Sequence, residues 1–411
     1  MKRRVYVHAV GACTPMSPDG ASWRDSVPAL LRGASAIRSV DHFDTNLYPS
    51  HVAAWIGRDG LDAHGDRRLP LLTRALAEIA AAVELQAYGG ARCGVFLGAE
   101  SGRASPQAIL RLTQAAAPDG RFDHAQFVAM AEGAAGAVAA RSVSPAAVAA
   151  TLAAQLDAQG PVQTISLACA SGASAIIAAV RQLRLGLCDT ALAGGVGADV
   201  DPFMLVGFGK LGALSARGVS RPFDRARDGF VVGEGAALVL LSTTPPPAGM
   251  PCIEIVGVGA SLDGYHLTAP HPEGDGAERA IRAALRDADC DTVDYVQAHG
   301  TSTPLNDATE CQAIARVFAN GAAPAVSSVK GAVGHWIAGA GAVGFLCAVE
   351  ALQGNVIPTA GLTDPDAACA ADHVMVDSGG VRTAIRPVRR ALVNAFAFGG
   401  ANAALIVEVH A

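Results

Sequence analysis

The stretch that most constrains this chain runs from Pro161 to Leu187, PVQTISLACASGASAIIAAVRQLRLGL. It opens as a short apolar run, Val162 to Ala168, and closes as a helix-period run of Ala, Ile, Leu and Val that stops at Gly186. Between the two stands Cys169, followed by Ala170, Ser171, Gly172 and Ala173. A strand that turns sharply into a helix puts this cysteine at or near the helix N-terminus. Small residues there let backbone and substrate come close. The free N–H groups and the positive end of the helix dipole favour an anion. A thiolate is such an anion, so the pattern predicts a thiol pKa below the reference of about 8.5. A cysteine in an Ala/Gly/Ser-rich turn equally suits a small buried core position. A nucleophile therefore needs partners from elsewhere in the chain.

Three downstream segments offer them: VQAHGTSTPLND (296–307), SSVKGAVGH (327–335) and NAFAFGGAN (394–402). Each ends an apolar run with polar or Gly-rich residues. His299 closes an apolar strand and precedes Gly-Thr-Ser-Thr, where a core role has little to offer. His335 is expected to open a helix of very small residues, whose N-terminus disfavours imidazolium. Taken singly, either histidine would suit a satisfied core position.

Composition sets the frame for these segments. At 411 residues the chain exceeds one ordinary core, so two domains or one large duplicated fold are expected. Hydrophobic residues make up 51% and charged residues 17%, which predicts extensive burial including a subunit interface. A net charge of −6 argues against wholesale nucleic-acid binding. The nine cysteines are odd in number and widely spaced, with no CxxC pair and no Cys/His metal spacing. Reduced thiols in a cytosol fit best, and no metal is expected. The N-terminus, MKRRVYVHAVGACTP, reads as a first strand rather than a leader. The longest apolar run, Trp336 to Val349, is shorter than a membrane span and reads as a buried helix.

Taken in order, the chain alternates strand and helix. Strands are expected at Arg4 to Val10, Cys93 to Leu97, the segment before Cys169, Thr190 to Ala193 (ending at Gly194 and Gly195), and Ala236 to Ser242. Helices are expected at Ser22 to Arg32, Leu69 to Leu85 and from Ser144-Pro145 to Ala158, the last with Ser as N-cap and Pro in first position. RPFDRARDGFVVGEG (221–235) mixes charges and glycines and reads as a loop that folds back on itself. TTPPPAGMP (243–251) is the strongest linker. Beyond it the order repeats: strand Ile253 to Ala260, helix Gly276 to Asp289, strand Tyr295 to Ala298, helix Asp307 to Ala319, strand Ala325 to Val329, and a long helix from His335 to Leu352. Strands Ala391 to Ala395 and Ala403 to Val409 close the chain. This alternation predicts mostly parallel α/β layers in two halves, 1–245 and 250–411. The letters GxGxxG occur at Gly339 to Gly344 with Asp364 downstream, but no strand immediately precedes them. Close helix packing explains these glycines better than a dinucleotide. No GxSxG and no P-loop is present.

TISLACASGASAI, RPFDRARDGFVVGEGAA, VQAHGTSTPLND, VKGAVGHWIAGAGAVG and NAFAFGGANAALIV together resemble the β-ketoacyl-acyl-carrier-protein synthases, the elongating condensing enzymes of the thiolase superfamily. The resemblance covers essentially the whole chain. It implies a five-layered αβαβα fold, a homodimer, and a Cys169-His299-His335 triad, with the first half carrying the nucleophile and the second the histidines. It further implies Lys330 as the nearby lysine, Glu310 as its ion partner, and Thr301 and Thr303 as contacts for a phosphopantetheine arm. Phe398 would be a gating aromatic whose backbone N–H forms an oxyanion hole with that of Cys169. No cofactor is implied beyond the phosphopantetheine of an acyl carrier protein. The reaction implied is acyl transfer to Cys169, decarboxylation of a malonyl thioester and condensation to a 3-oxoacyl product, in fatty-acid or polyketide synthesis.

Three positions depart from the family pattern. Ser174 stands where elongating enzymes often carry His, Gly98-Ala-Glu-Ser-Gly-Arg103 replaces a Gly-rich segment, and Ala397 stands where Gly is usual. These departures put the usual fatty-acid substrate in doubt and leave fatty-acid synthesis and a specialised polyketide or polyene pathway both open. An acidic carrier meeting an acidic chain needs a local basic patch, for which Arg67 and Arg68 are the first candidates and Lys210 the second. Two other readings have discriminating features. A chain-length-factor-like partner lacks the nucleophile that Cys169 provides here, although a heterodimer with such a partner remains an alternative assembly. A thiolase uses a second cysteine near the C-terminus, where Cys369 is the sole late candidate.

Overall fold

A computed structural model describes residues 2–57, 66–102, 106–133, 144–376 and 386–410. Arg103 lies outside them. One mixed sheet runs through the molecule rather than the mostly parallel layers expected, because the strands nearest the seam of each half pair antiparallel, and its two halves repeat one pattern. In the first half, strand Tyr6–Thr14 pairs antiparallel with Glu234–Ser242, which pairs antiparallel with Thr190–Ala198. Thr190–Ala198 is followed in parallel by Cys93–Gly98 and then Val162–Ile165. In the second half, Cys252–Leu262 pairs antiparallel with Ala401–His410, which pairs antiparallel with Arg390–Phe396. Parallel strands Tyr295–Gln297, Ala325–Ser327 and Asp372–His373 follow. The halves join where Tyr6 and Val7 meet Glu254 and Ile253. The Pro-rich segment 243–251 thus links two strands that both pair with Tyr6–Thr14.

Side-chain alternation along these strands builds the layers. In the first half Val95, Leu97, Leu192, Leu238 and Leu240 share an outer cluster with residues of helices Arg68–Ala82 and Pro145–Gln155. Their neighbours Phe96, Ala191, Ala193, Ala237 and Val239 join an inner cluster. In the second half Leu392, Ala404 and Ile406 pack with helices Asp275–Ala288 and Pro304–Val317, while Ala391, Val393, Leu405 and Val407 join the same inner cluster. That inner cluster contains helices Ser171–Arg184 and Ala340–Leu352. The result is helix, sheet, helix, sheet, helix, the thiolase-like α/β arrangement.

Glycine sets the spacing in the middle layer. A Cβ on Gly172 would stand 2.9 Å from the Ala338 carbonyl oxygen, and one on Gly341 would stand 2.7 Å from the Ala173 nitrogen. The glycines of the GxGxxG letters therefore serve helix packing.

Helix Pro202–Lys210 and strand Asp372–His373 were not anticipated, and two boundaries that bear on the site differ from expectation. The strand begun at Thr190 does not end at Gly194 and Gly195 but runs through them to Ala198. The glycines there are needed because other backbone crosses that face: a Cβ on Gly195 would lie 2.8 Å from Ala338 O, and one on Gly197 only 1.9 Å from Trp336 O. The long helix expected from His335 begins instead at Ala340, after a short helix Lys330–Val333 and a 3₁₀ turn Ile337–Gly339. Gly334 at φ 69° stops the short helix and leaves His335 in extended chain, bridged to Val232. Helix Pro145–Gln155 does carry the expected cap, with Ser144 Oγ accepting from Ala146 N–H. Among the described residues no helix is long and apolar enough to cross a membrane.

Candidate active site

Strand Val162–Ile165 leads into a 3₁₀ turn, Ala168–Ala170, and then into helix Ser171–Arg184. Cys169 sits in that turn, 5% exposed. The backbone N–H groups of Phe398 and of Cys169 itself favour the charged form of this sulfur. The expected lowering of the thiol pKa is not what the surroundings give. Burial pushes it up, to about 12, against the opposing pull of Lys330 and of those two N–H groups. Loss of water outweighs the helix end, because the charged form loses most on burial.

His299 follows strand Tyr295–Gln297, and its loop is held by a single helix. On Pro304–Val317, Glu310 accepts from the N–H groups of His299 and Gly300, both at 2.8 Å, and from Asn394 Nδ2 at 3.0 Å. One turn earlier, Asp307 accepts from Thr301, Ser302 and Phe223 N–H at 2.8, 3.0 and 2.9 Å. Residues at i and i+3 share a helix face, so one face of one helix shapes the whole 299–302 loop. Glu310 is therefore not the direct ion partner that the resemblance implies. Among the described residues Lys330 has no carboxylate within ion-pair distance; Glu310 acts on it only through its field.

Lys330 Nζ instead donates to the His299 carbonyl oxygen and lies 3.3 Å from His299 Nδ1. His335 Nδ1 accepts from Ile337 N–H at 3.2 Å. Both Nδ1 atoms thus act as acceptors, which places each imidazole proton on Nε2. The rings are 5.5 Å apart between centroids. Burial, and then the nearby Lys330, hold both histidines well below the ordinary imidazole value, so both are neutral. Burial also lowers Lys330, to about 8. The sulfur and one nitrogen of each imidazole lie within 4.8 Å of one another.

The triad lines a cavity of about 360 Å³ together with Thr301, Thr303, Phe230, Phe396 and Phe398. Thr301 and Thr303 hydroxyls share a 2.8 Å hydrogen bond there. Phe398 stands on the hairpin between Arg390–Phe396 and Ala401–His410, where Gly399 and Gly400 take φ of 85° and 78°. Two aromatic neighbours were not singled out in the sequence: Phe230 lies edge-on to His335 at 5.0 Å, and Phe396 lies 5.9 Å from His299. Both belong to motifs quoted above, but a motif does not say which side chain faces a histidine.

Other expected site residues fall elsewhere. Arg67 and Arg68 are not a surface patch. Arg67 is paired with Glu234 at 2.7 Å and Arg68 with Asp66 at 2.7 Å, with side chains only 10% and 5% exposed. Carboxylates that the sequence places far away or alongside draw both guanidinium groups inward. Lys210 is exposed at the end of helix Pro202–Lys210, beside Leu211, Gly212 and Ala213 of the cavity wall. Ser174 is half-buried on the nucleophile helix and does not line the cavity, whereas Ala397 does. Cys369 is fully buried against Cys311 and does not line the cavity, so it cannot serve as a thiolase's second cysteine.

Residues 2–245 match the family described as Beta-ketoacyl synthase, N-terminal domain, and residues 252–362 the Beta-ketoacyl synthase, C-terminal domain. The chain belongs to the β-ketoacyl synthase family. A curated relative, 3-oxoacyl-(acyl-carrier-protein) synthase 2 of Coxiella burnetii, is 32% identical and aligns over 99% of each chain. Among solved structures, a β-ketoacyl synthase from Burkholderia phymatum is 30% identical with a TM-score of 0.79. The ishigamide ketosynthase/chain length factor is 28% identical with a TM-score of 0.81, and in both cases all of each chain is covered. This synthase is accordingly an acyltransferase that carries out a condensation of the β-ketoacyl synthase type.

Proposed function

We propose that this synthase extends an acyl chain held on Cys169 by two carbons taken from a malonyl group on an acyl carrier protein. The observation that carries the reading is the convergence of one sulfur and two neutral, Nε2-protonated imidazoles in one buried cavity. The Cys169 sulfur attacks an acyl thioester and expels the carrier's thiol; the proton lost by Cys169 is balanced by the one the departing sulfur takes up. We assign the tetrahedral oxyanion to the N–H groups of Cys169 and Phe398, a reading supported by the influence both have at the Cys169 sulfur. The malonyl thioester then loses CO2. The negative charge left on its thioester oxygen accepts hydrogen bonds from Nε2–H of His299 and His335. The enolate carbon attacks the acyl-Cys169 carbonyl, and collapse expels the Cys169 thiolate and leaves a 3-oxoacyl thioester. Lys330 sets the His299 tautomer and adds positive potential.

Thr301 and Thr303, at the cavity wall, suit the amide groups of a phosphopantetheine arm. Lys210 is the remaining candidate for the acidic carrier. We assign the nucleophile to a first half, 1–245, and the histidines to a second, 250–411. Among the described residues, edge strand Val162–Ile165 has one unpaired side, and its Val162 and Gln163 are exposed, which supports pairing with a second subunit. A homodimer and a heterodimer with a chain-length-factor-like chain both fit. The ishigamide neighbour favours the second, with this chain as the catalytic member. Nine unpaired cysteines suit a reducing cytosol.

The test is mass spectrometry of Cys169 after incubation with a panel of acyl-carrier thioesters, followed by malonyl-carrier. Transfer to Cys169 and release of an acyl chain two carbons longer are expected. Absence of any acyl adduct on Cys169 rejects the reading, and the preferred chain separates fatty-acid from specialised synthesis.

A further inference from the structure

The turn that presents Cys169 is held by a residue outside the triad. Strand Cys93–Gly98 ends against the first turn of helix Ser171–Arg184, where a Cβ on Gly98 would stand 2.4 Å from Gly172 N. Ala99 N–H donates to the Ile165 carbonyl at 3.1 Å. The next residue is Glu100. Its carboxylate accepts from Ser166 Oγ at 2.7 Å and from Ala168 N–H at 3.1 Å, and lies 3.4 Å from Ser171 Oγ. Ser171 Oγ itself accepts from Leu167 N–H at 2.8 Å and donates to the Ala168 carbonyl at 2.6 Å. The whole turn from Ser166 to Ser171 is thus tied to one side chain.

Ala168, immediately before the nucleophile, has φ 45°. This left-handed conformation is costly for a residue with a Cβ and persists only where its surroundings impose it. Glu100 bonds the N–H of that residue. Behind Glu100, Arg68 donates from Nη1 to the Glu100 carbonyl at 2.6 Å while paired with Asp66. Arg68 is 4% exposed, so this support is internal.

We propose that Glu100 is a positioning residue for the nucleophile, holding Ala168 in its left-handed conformation so that the Cys169 sulfur faces His299 and His335. The proposal rests on Cys169 being the acyl acceptor. A second consequence follows from charge. The ionisable groups acting on or grouped with the sulfur are Lys330 from helix Lys330–Val333, His299 and His335 from their loops, and Glu100 from the end of Cys93–Gly98. Lys330 favours the thiolate, Glu100 opposes it, and both imidazoles are neutral. Removing the Glu100 charge therefore eases ionisation of Cys169.

Two variants of the full chain separate the roles. E100Q keeps an acceptor for Ala168 N–H and removes the charge; E100A removes both. Iodoacetamide alkylation of Cys169, followed by mass across a pH series, reads the sulfur alone. Single-turnover acyl transfer from an acyl-carrier thioester reads its placement. In E100Q the alkylation curve should shift to lower pH by about half a unit or more, with acyl transfer within about threefold of wild type. In E100A acyl transfer should fall by about tenfold or more. An unshifted alkylation curve in E100Q, or wild-type acyl transfer in E100A, overturns the proposal. If E100A does not fold, the E100Q curve decides alone. A wild-type Cys169 that alkylates but takes no acyl group would instead reject the acyl-acceptor reading, and the alkylation comparison would still judge Glu100.

Discussion

Lys330 touches His299 twice: its ammonium donates to the backbone carbonyl and lies 3.3 Å from Nδ1 of the same residue. One cation thereby fixes where the imidazole sits and which nitrogen carries its proton. The cost is a buried charge with no carboxylate, among the described residues, in direct contact.

That cost gives a stability prediction. Burial lowers Lys330 to about 8 from 10.5. Between those values the unfolded chain binds a proton that the folded chain does not, so this group makes stability rise with pH across that window. K330M removes the term. The difference in unfolding free energy between wild type and K330M should change in favour of wild type as pH rises from about 8 to about 10.5. Malonyl decarboxylation by K330M should fall by about tenfold or more. Denaturant unfolding at three pH values, with CO2 release assayed in parallel, checks both; a pH-independent difference would contradict the first.

Neutral histidines leave a mark on the rate profile. Both imidazoles lie well below 6.5, so neither gains a proton near that pH. Decarboxylation measured from about pH 6 to about pH 8 should show no limb near 6.5. Stability should behave differently: the unfolded chain protonates these residues below 6.5 and the folded chain resists, so folding free energy is lost as pH falls past that point. Replacing His335 with Ala should cut decarboxylation by about two to three powers of ten, the usual cost of one oxyanion donor. A rate limb at pH 6.5 that vanishes in that variant would show the imidazole titrating after all.

The arginines once expected at the surface should behave as core residues. R67E leaves Glu234 buried beside a second carboxylate and should destabilise the fold by about 3–5 kcal/mol. K210E should leave the melting temperature unchanged and weaken carrier-bound substrates more than small thioesters. Thermal melts and the two substrate classes test this; equal loss for both substrates would remove Lys210 from carrier binding.

Backbone crowding predicts a further defect. A Cβ on Gly197 would fall 1.9 Å from Trp336 O, beside His335. G197A should cost about 1–3 kcal/mol of stability and reduce decarboxylation more than acyl transfer, because the strand must push the His335 segment away. A melt and both half-reactions measured on one preparation check it, and unchanged decarboxylation would argue that the segment yields without moving the ring.

Local pattern carried most of the fold. Most of the strand and helix order, the Ser144 cap and the Cys169 strand-turn-helix were legible, because hydrophobic period and capping chemistry act within a few residues; helix Pro202–Lys210 and strand Asp372–His373 were not. The triad was legible through motif resemblance, since its members lie in compact stretches around Cys169, His299 and His335. Where local rules failed, a distant partner was the reason. Gly194 and Gly195 looked like a strand end and proved to be a strand interior crossed by the Ala338 backbone. His335 looked like a helix start, but Gly334 and the Val232 bridge hold it in extended chain.

The alternation of strand and helix was readable from the chain alone, because hydrophobic period acts over a few residues; the layering and the Cys169-His299-His335 set were readable only through the resemblance of five motifs taken together. Tertiary structure alone decided their charge states and supports: the raised thiol of Cys169, the inward-turned Arg67 and Arg68, Glu310 as a loop anchor, and Glu100 beneath the nucleophile turn. Burial and field depend on what the fold brings within a few ångströms, and residues 68 or 167 positions apart carry no mark of that in the chain between them.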